Sequence, residues 1–364
     1  MKKIILIVMV LLILSGCVPE EEETIKIGGA FGLTGFASAW GEVDMNGALF
    51  AVEEVNKAGG VNGKNVELVV EDIISDSVKT VSAVQKLINV DNVVAIIGPT
   101  WLDTFGGAAP LADEYNVIMI TPSASITAIK SEQKYENVFS TWYRTDKEAE
   151  RLAEYLADAK QKKIALFFGN DPFWQDITNY FRDYAKENNL EILGDFKFNA
   201  GEKDFRTLLT KAKDLGVSAI FFGMNDEAGL FAFLKQREEL YPESVLYTTE
   251  YIEEFAVEGS DLEDYLSGVY YVSPAEADSS FAQKYKERFN KQPLFSASNS
   301  YDATKILLEA IEKTDTASAE NLRMYIMTNE FETATFGTVR FDDIGGLVGG
   351  KFVIKSAEER KIVG

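Results

Sequence analysis

Short apolar runs alternate with amphipathic stretches along most of the chain. The runs are rich in β-branched and aromatic residues, a composition typical of buried strands, and the stretches between them have the periodicity of helices. Strands are predicted at 25–31, 66–72, 93–99, 117–122, 163–169, 191–198, 219–224 and 245–250. Helices are predicted at 42–58, 76–89 and 204–215, and in stretches ending near residues 115, 188 and 240.

The helix predicted at 42–58 shows the pattern most clearly. Its acidic first turn would suit the positive end of the helix dipole, and Gly59 suits its termination. Its apolar positions fall on one face: Met45, Ala48, Leu49, Val52 and Val55.

Continuous apolar strands that alternate with helices indicate parallel sheets covered on both faces. The predicted strands are too many for one compact sheet of ordinary size, so two α/β lobes are expected. Ligands of open parallel sheets bind beyond the carboxyl ends of the strands, and the residues that follow each strand are therefore the candidate site.

The N-terminus has the pattern of an export signal. Lys2 and Lys3 precede the apolar run Ile4–Leu14, which is too short to span a bilayer that needs about 20 residues. The segment Leu14-Ser15-Gly16-Cys17 resembles the lipobox of bacterial lipoproteins, which implies cleavage after residue 16 and lipidation of Cys17. Residues 17–23 would then form an acidic tether. An ordinary signal with a chance cysteine is the alternative.

The amino-acid composition disfavours some partners and excludes some kinds of catalytic and metal site. The net charge is −22, from 36 basic and 58 acidic residues, which disfavours nucleic acid and anionic lipid as partners. The chain has no histidine and a single cysteine, Cys17, so triads based on histidine and zinc sites built from histidine and cysteine are excluded.

Four stretches together resemble the branched-chain amino-acid type of periplasmic binding protein, the type I solute receptors of ATP-driven importers. They are FGLTGFASAWGEVDMNGALFAVEEVNKAGGVNGKNVELVVED, AIIGPTWLDTFGGAAPLADEYNVIMITPSAS, GEKDFRTLLTKAKDLGVSAIFFG and FSASNSYDATKILLEAI. They occur in the expected order through nearly all of the mature chain.

This resemblance implies two Rossmann-like lobes with parallel sheets, joined by three hinge crossings. The crossings are expected near 144–146, 272–274 and 337–341. The first lobe would comprise 24–144 and 274–337, and the second 145–273 and 338–364, with the strands TVRFDD and KFVIKS returning to the second lobe.

The resemblance also implies ligand contacts. Hydroxyl and backbone N–H groups would hold a ligand carboxylate, and an acidic residue of the second lobe would hold its ammonium. By position, Ser123 and Ser125 match the first role and Glu250 the second. Trp40 and Phe173 match two aromatic positions.

Two positions depart from the family pattern. Leu102 replaces a serine, with Asp103 beside it, and Met224 replaces an aromatic residue. Trp101 and Asp103 follow the third strand and are added to the expected ligand contacts, as is Met224. Asp103 could face a second positive group on the ligand, or it could face water.

The expected function is a lipid-anchored extracytoplasmic receptor of an ABC importer. It would be a monomer that delivers a small polar solute, an amino acid by preference, to a membrane permease. No enzymatic activity, cofactor or metal is expected. A ligand-sensing subunit of a signalling system, and a receptor for an amide or a polyamine-like solute, remain the alternatives.

Overall fold

The structure, a computed structural model, describes residues 24–129, 135–224, 226–255, 259–275, 279–359 and 361–364. The predicted signal, Cys17 and the tether lie outside these residues. Within the described residues, no helix is both long enough and apolar enough to span a membrane.

Strands and helices alternate as predicted over residues 25–122 and 163–250, whereas the strand at 138–140 and the helix at 145–158 were not predicted. The strands are β1 (Ile25–Phe31), β2 (Val66–Asp72), β3 (Ala95–Ile97), β4 (Ile118–Thr121), β5 (Val138–Ser140), β6 (Lys163–Gly169), β7 (Glu191–Phe198), β8 (Ala219–Gly223), β9 (Val245–Thr249), β10 (Val269–Pro274), β11 (Glu330–Thr333), β12 (Gly337–Phe341), β13 (Leu347–Gly349), β14 (Phe352–Ser356) and β15 (Lys361–Ile362). The helices are α1 (Ser38–Lys57), α2 (Ser77–Asn89), α3 (Leu102–Glu114), α4 (Ile126–Ile129), α5 (Thr145–Asp158), α6 (Pro172–Glu187), α7 (Arg206–Asp214), α8 (Glu227–Leu240), α9 (Ile252–Phe255), α10 (Ser279–Phe289), α11 (Phe295–Thr314) and α12 (Ala319–Thr328), with a 3₁₀ turn at Glu263–Tyr265.

Two sheets form the centres of two lobes. The first is five-stranded, in the order β2-β1-β3-β4-β5, and its strands run parallel. The second is seven-stranded, in the order β15-β14-β10-β9-β8-β6-β7, and it is parallel from β10 to β7. The predicted α/β fold with two Rossmann-like lobes is confirmed.

The third predicted crossing is displaced along the chain. Strand β12, which contains most of TVRFDD, pairs with β11 and β13 in a small antiparallel sheet rather than in the second lobe. The turn after β12 attaches to the first lobe, where the Ser140 N–H donates to the Gly345 carbonyl at 2.9 Å. Of the two strands predicted to return to the second lobe, only β14, which contains FVIKS, joins the second sheet, antiparallel to β10. The chain therefore passes between the lobes at 349–352, later than the predicted 337–341.

The other two passages lie between β5 and α5 and between β10 and α10. Arg144, at the first passage, pairs with Asp146 and with Asp342 of the turn after β12. This arrangement ties the passage to the turn that precedes the third. The exact division of the residues between the lobes stays a prediction.

Helix α1 begins at Ser38, four residues before the predicted start. Its first turn contains no acidic residue, so the predicted interaction of an acidic first turn with the helix dipole is wrong. Asp44 consequently lies inside the helix, where it is fully buried. The apolar pattern from Met45 onward indicated the helix but not its beginning. The residues at 38–41 are mostly small and carry no charge, so they gave no sign that the helix starts there.

Close contact between α1 and α11 depends on a missing side chain. A β-carbon added to Gly47 would lie 2.2 Å from the carbonyl oxygen of Ala297, a separation that real β-carbons do not adopt. Nearby, the Ser300 hydroxyl donates to the Asp44 carbonyl at 2.6 Å. The two helix backbones therefore approach closely and hold α1 against the first sheet.

We expect Gly47→Ala to destabilise the protein by about 1–3 kcal/mol, the usual cost of overpacking a well-filled interior. This loss would exceed the gain of about 1 kcal/mol that alanine brings to a helix. The free energy of unfolding in urea measures it. The control is Gly106→Ala on α3, where an added β-carbon has no neighbour within 4 Å and should stabilise. Equal stabilisation by both variants would contradict the account of this contact.

Candidate functional site

A cleft lies between the lobes, beyond the carboxyl ends of their parallel strands. It encloses a cavity of about 190 Å³. Residues after β3 and β4 supply the wall of the first lobe, and residues after β6 and β9 supply the wall of the second. The lining residues are Phe36, Trp101, Leu102, Asp103, Ser123, Ala124, Ser125, Trp142, Asp171, Pro172, Phe173 and Tyr251.

A buried carboxylate supports the wall of the first lobe. Thr100 and Ser123 both donate their hydroxyl protons to Oδ2 of Asp44, at 2.8 and 2.7 Å. Burial raises the pKa of Asp44 to about 7, although the bonds from Ser123 and Thr100 oppose the rise. Asp44 thus ties the segments after β3 and β4 to α1. Its position inside the helix gave no sign of this role in the sequence.

Ser125 belongs to a second buried network. Its hydroxyl lies 2.8 Å from the Thr127 hydroxyl, and Thr127 and Thr145 donate to Oδ2 of Asp176 at 2.8 and 2.7 Å. Burial raises the pKa of Asp176, and the two threonine bonds oppose the rise. Because Thr127 belongs to the first lobe and Asp176 to the second, the network joins the lobes beside the cleft.

Trp101 is held in an unusual backbone conformation. Its φ is 75°, in a region that bulky residues rarely adopt and that costs on the order of 1–3 kcal/mol. The surrounding structure sets this conformation: the Trp101 ring packs against Phe36 and Trp40, with centroid distances of 5.8 and 5.6 Å. The Trp101 side chain consequently lines the cleft.

Aromatic residues also connect the two lobes. Tyr251 of the second lobe lies 5.2 Å from both Trp40 and Phe173, measured between ring centroids. Trp142, at the first passage, lies 6.3 Å from Phe173. The lobes therefore meet around an aromatic cluster. Sequence reasoning missed Trp142 and Tyr251, because neither stands in a recognisable motif, although each follows a strand end.

Two carboxylates lie at the cleft. Asp103 is exposed, and Asp171 caps α6 by accepting from the Trp174 N–H at 3.1 Å. Burial, with the nearby charge of Asp103, raises the pKa of Asp171 to about 6. Asp171 was not predicted as a site residue, since its place before Pro172 indicated only a helix start.

Glu250 lies behind the cleft lining rather than in it. Its side chain is 1% exposed, and the Tyr143 hydroxyl donates to Oε1. Among the described residues, Oε2 has no hydrogen-bond partner. Burial raises the pKa of Glu250 well above the ordinary range. A buried carboxylate oxygen of this kind is costly unless a donor reaches it.

The other predicted contacts divide into two groups. Trp101, Asp103, Ser123, Ser125 and Phe173 are brought together in the lining. Trp40 packs behind Trp101 and does not itself line the cavity.

Met224 is the clear exception. It is 5% exposed and belongs to the apolar core on α8, with Phe222 and Leu230, so the expectation that it faces the cleft is wrong. An unbranched thioether fills such a core gap readily. For the remaining residues, ligand contact stays a prediction.

Comparison with known proteins decides the family. Residues 24–354 match the sequence pattern of the periplasmic binding proteins. This chain belongs to the periplasmic binding protein family. The matching relatives are solute-binding proteins rather than enzymes, in agreement with the sequence expectation.

Relatives of the periplasmic binding protein family cover nearly the whole chain. A leucine-, isoleucine-, valine-, threonine- and alanine-binding protein of Pseudomonas aeruginosa is 28% identical over 338 residues, 91% of this chain and 89% of that protein. A Leu/Ile/Val-binding protein of Rhizobium johnstonii is also 28% identical, over 95% of each chain.

Solved structures show the same periplasmic binding protein fold. A branched-chain amino-acid transporter substrate-binding protein of Streptococcus pneumoniae, in complex with isoleucine, superposes with a TM-score of 0.80 at 23% identity, covering 94% of this chain and 98% of that one. A solute-binding protein of Rhodopseudomonas palustris, in complex with 3,4-dihydroxybenzoic acid, superposes with a TM-score of 0.79 at 22% identity. The match covers 92% of this chain and 93% of that one. The fold therefore accommodates chemically different ligands.

The raised pKa of Asp44 predicts a pH dependence of stability. Below about pH 4 the Asp44 carboxyl is protonated in both the folded and the unfolded protein. Between about pH 4 and 7 it keeps its proton only in the folded protein. The free energy of unfolding of the wild type, relative to Asp44→Asn, should therefore fall across this window. The expected fall is on the order of 4 kcal/mol, at 1.36 kcal/mol per pKa unit.

Urea unfolding of both proteins without ligand, at a series of pH values, measures this difference. Other buried carboxyl groups are common to the two proteins and cancel. A difference that does not change with pH would mean that Asp44 ionises as readily in the folded state as in the unfolded one.

Proposed function

We propose that the protein is a lipid-anchored extracytoplasmic receptor that delivers an amino acid or a related polar solute to an ABC importer. The ligand binds between the lobes as a monomeric receptor closes, and the closed form is presented to the permease. The observation that carries the proposal is the cleft, whose walls come from the strand ends of both lobes. A ligand that contacts both walls stabilises the closed form, because it makes contacts there that the open form does not offer.

The second lobe supplies the expected ammonium partner. Oε2 of Glu250 is buried without a hydrogen-bond partner among the described residues, while Oε1 is held by Tyr143. An α-ammonium would satisfy the open oxygen with a charge-assisted hydrogen bond and would restore the ionised carboxylate. Tyr251, the next residue in the chain, lines the cleft, so a short movement of this segment brings the carboxylate to a ligand.

Closure requires the three passages to bend together. Arg144 bonds to Asp146 at 2.7 Å and also to Asp342, and so couples the first passage to the turn after β12. Thr127 and Asp176 join the lobes on the cleft side. These polar contacts can exchange partners with little change in burial, which suits a hinge.

The anchor is proposed from the sequence. Cys17 follows a short apolar segment that resembles a lipoprotein signal, and the described domain begins seven residues later. A lipid chain there would hold the receptor at a membrane surface near its permease.

We expect Glu250→Gln to weaken binding of the tightest-binding amino acid by about 1.5–3 kcal/mol, the range for a hydrogen bond to a charged group. That corresponds to roughly 10- to 150-fold in Kd. The measurement is calorimetry with protein refolded from denaturant to remove carried-over ligand. Glu239→Gln, an exposed position on α8 of the same lobe, is the matched control. Unchanged affinity in Glu250→Gln would remove Glu250 from the site.

A second prediction concerns the anchor. In a bacterial host, the full chain should be recovered from the membrane fraction, with the mass of a lipid on the peptide that begins at Cys17. Cys17→Ala should lose both properties because the thiol is the attachment point. Membrane recovery of an unmodified Cys17→Ala protein would contradict the proposed anchor.

A further inference from the structure

The charged side chains that line the cleft all carry negative charge. The two carboxylates of the lining are Asp103 and Asp171, and no lysine or arginine lines the cavity among the described residues. Ser123 and Ser125 carry the two aliphatic hydroxyls of the lining, and Tyr251 carries a phenolic one. The direction of the two serine hydroxyl protons decides whether these side chains can donate to a ligand carboxylate or accept from an ammonium.

The Ser123 proton points away from the cleft. A hydroxyl carries one proton, and that of Ser123 is donated to Oδ2 of Asp44 at 2.7 Å. The Trp101 N–H approaches the same Ser123 oxygen at 3.4 Å, as a donor. Ser123 can consequently offer a ligand only a lone pair.

Counting protons gives the same result for Ser125. Thr127 and Thr145 each give their single proton to Oδ2 of Asp176. Thr127 has none left, so the 2.8 Å contact between Ser125 and Thr127 uses the proton of Ser125. Both serine side chains therefore face the cleft as acceptors, and a ligand carboxylate would have to find its hydrogen-bond donors elsewhere than in these two side chains.

The remaining walls favour positive charge as well. Trp101, Trp142, Phe173 and Tyr251 line the cavity. The faces of such rings carry negative potential and attract ammonium and guanidinium groups, by about 0.5–2 kcal/mol each. The chain's net charge of −22 would also raise the local concentration of small cations.

From these observations we infer that the cleft selects a small organic cation, a ligand with an ammonium or guanidinium group beyond that of a neutral amino acid. Asp103 and Asp171 hold the extra positive group, and the aromatic walls enclose its hydrocarbon. The inference rests on the proposed function, since it assumes that this cleft is the ligand site.

Matched ligands test the inference. L-lysine and L-norleucine share a backbone and a straight side chain and differ by the terminal ammonium; 1,4-diaminobutane carries two ammonium groups and no carboxylate, and L-arginine and L-leucine complete the panel. Calorimetry with refolded full-length protein should show at least one of the three cations binding about tenfold or more tightly than norleucine and leucine, since a charged hydrogen bond contributes about that much.

Two variants test whether Asp103 and Asp171 hold the extra positive group of the ligand. Asp171→Asn and Asp103→Asn should each weaken the tightest cation roughly tenfold to a hundredfold, and should weaken it at least about tenfold more than they weaken leucine. Asparagine caps helices about as well as aspartate, so Asp171→Asn keeps the start of α6, which a thermal melt verifies. Asp264→Asn, at an exposed position away from the cleft, is the control and should change nothing.

Each negative result overturns a different part of the account. Leucine or norleucine binding as tightly as every cation would overturn the inferred charge selection and leave the proposed receptor function standing. Cation binding that is indifferent to both Asp103→Asn and Asp171→Asn would overturn the assignment to these carboxylates. Failure of every titrant to bind a folded protein would overturn both the cation inference and the proposed amino-acid ligand.

Discussion

The buried carboxylate of Asp44 is the interaction on which the cleft depends. It accepts hydrogen bonds from Thr100 after β3 and Ser123 after β4, while the carbonyl of the same residue accepts from Ser300 on α11. One residue therefore fixes four segments of the first lobe. Burial of this carboxyl is unfavourable for its charged form, which is why its pKa rises to about 7. Without it, two strand-end segments would lose their common acceptor.

Buried carboxyl groups recur in the second lobe and at the junction. Glu148 on α5 is fully buried, and neither of its oxygens has a hydrogen-bond partner among the described residues. Asp176 is held by two threonines, and Glu250 by Tyr143. Burial raises the pKa of all three. Of these groups, Asp176 and Glu250 adjoin residues that line a cleft walled by aromatic rings, an environment that a positive ligand group would stabilise.

Sequence periodicity predicted β1 to β4 and β6 to β9, which supply most of both parallel sheets, because buried parallel strands are continuous apolar runs. It did not predict β5 or β10. The sequence did not predict which way the side chains at the strand ends point. Met224 is the first residue after β8 and Tyr251 the second after β9, yet Met224 enters the core and Tyr251 faces the cavity. Asp44 was hidden inside an amphipathic helix. The late third passage was missed because β12 pairs locally with β11 and β13, and pairing partners depend on tertiary structure rather than on pattern.

The central claim is that the ligand lies between the lobes and contacts both. A crystal structure of the refolded protein with its tightest-binding titrant tests this most directly. The account predicts ligand density enclosed by Trp101 and Ser125 on one side and by Phe173 and Tyr251 on the other, with the lobes closed around it. Density outside this cleft, or a ligand that touches one lobe only, would contradict the account.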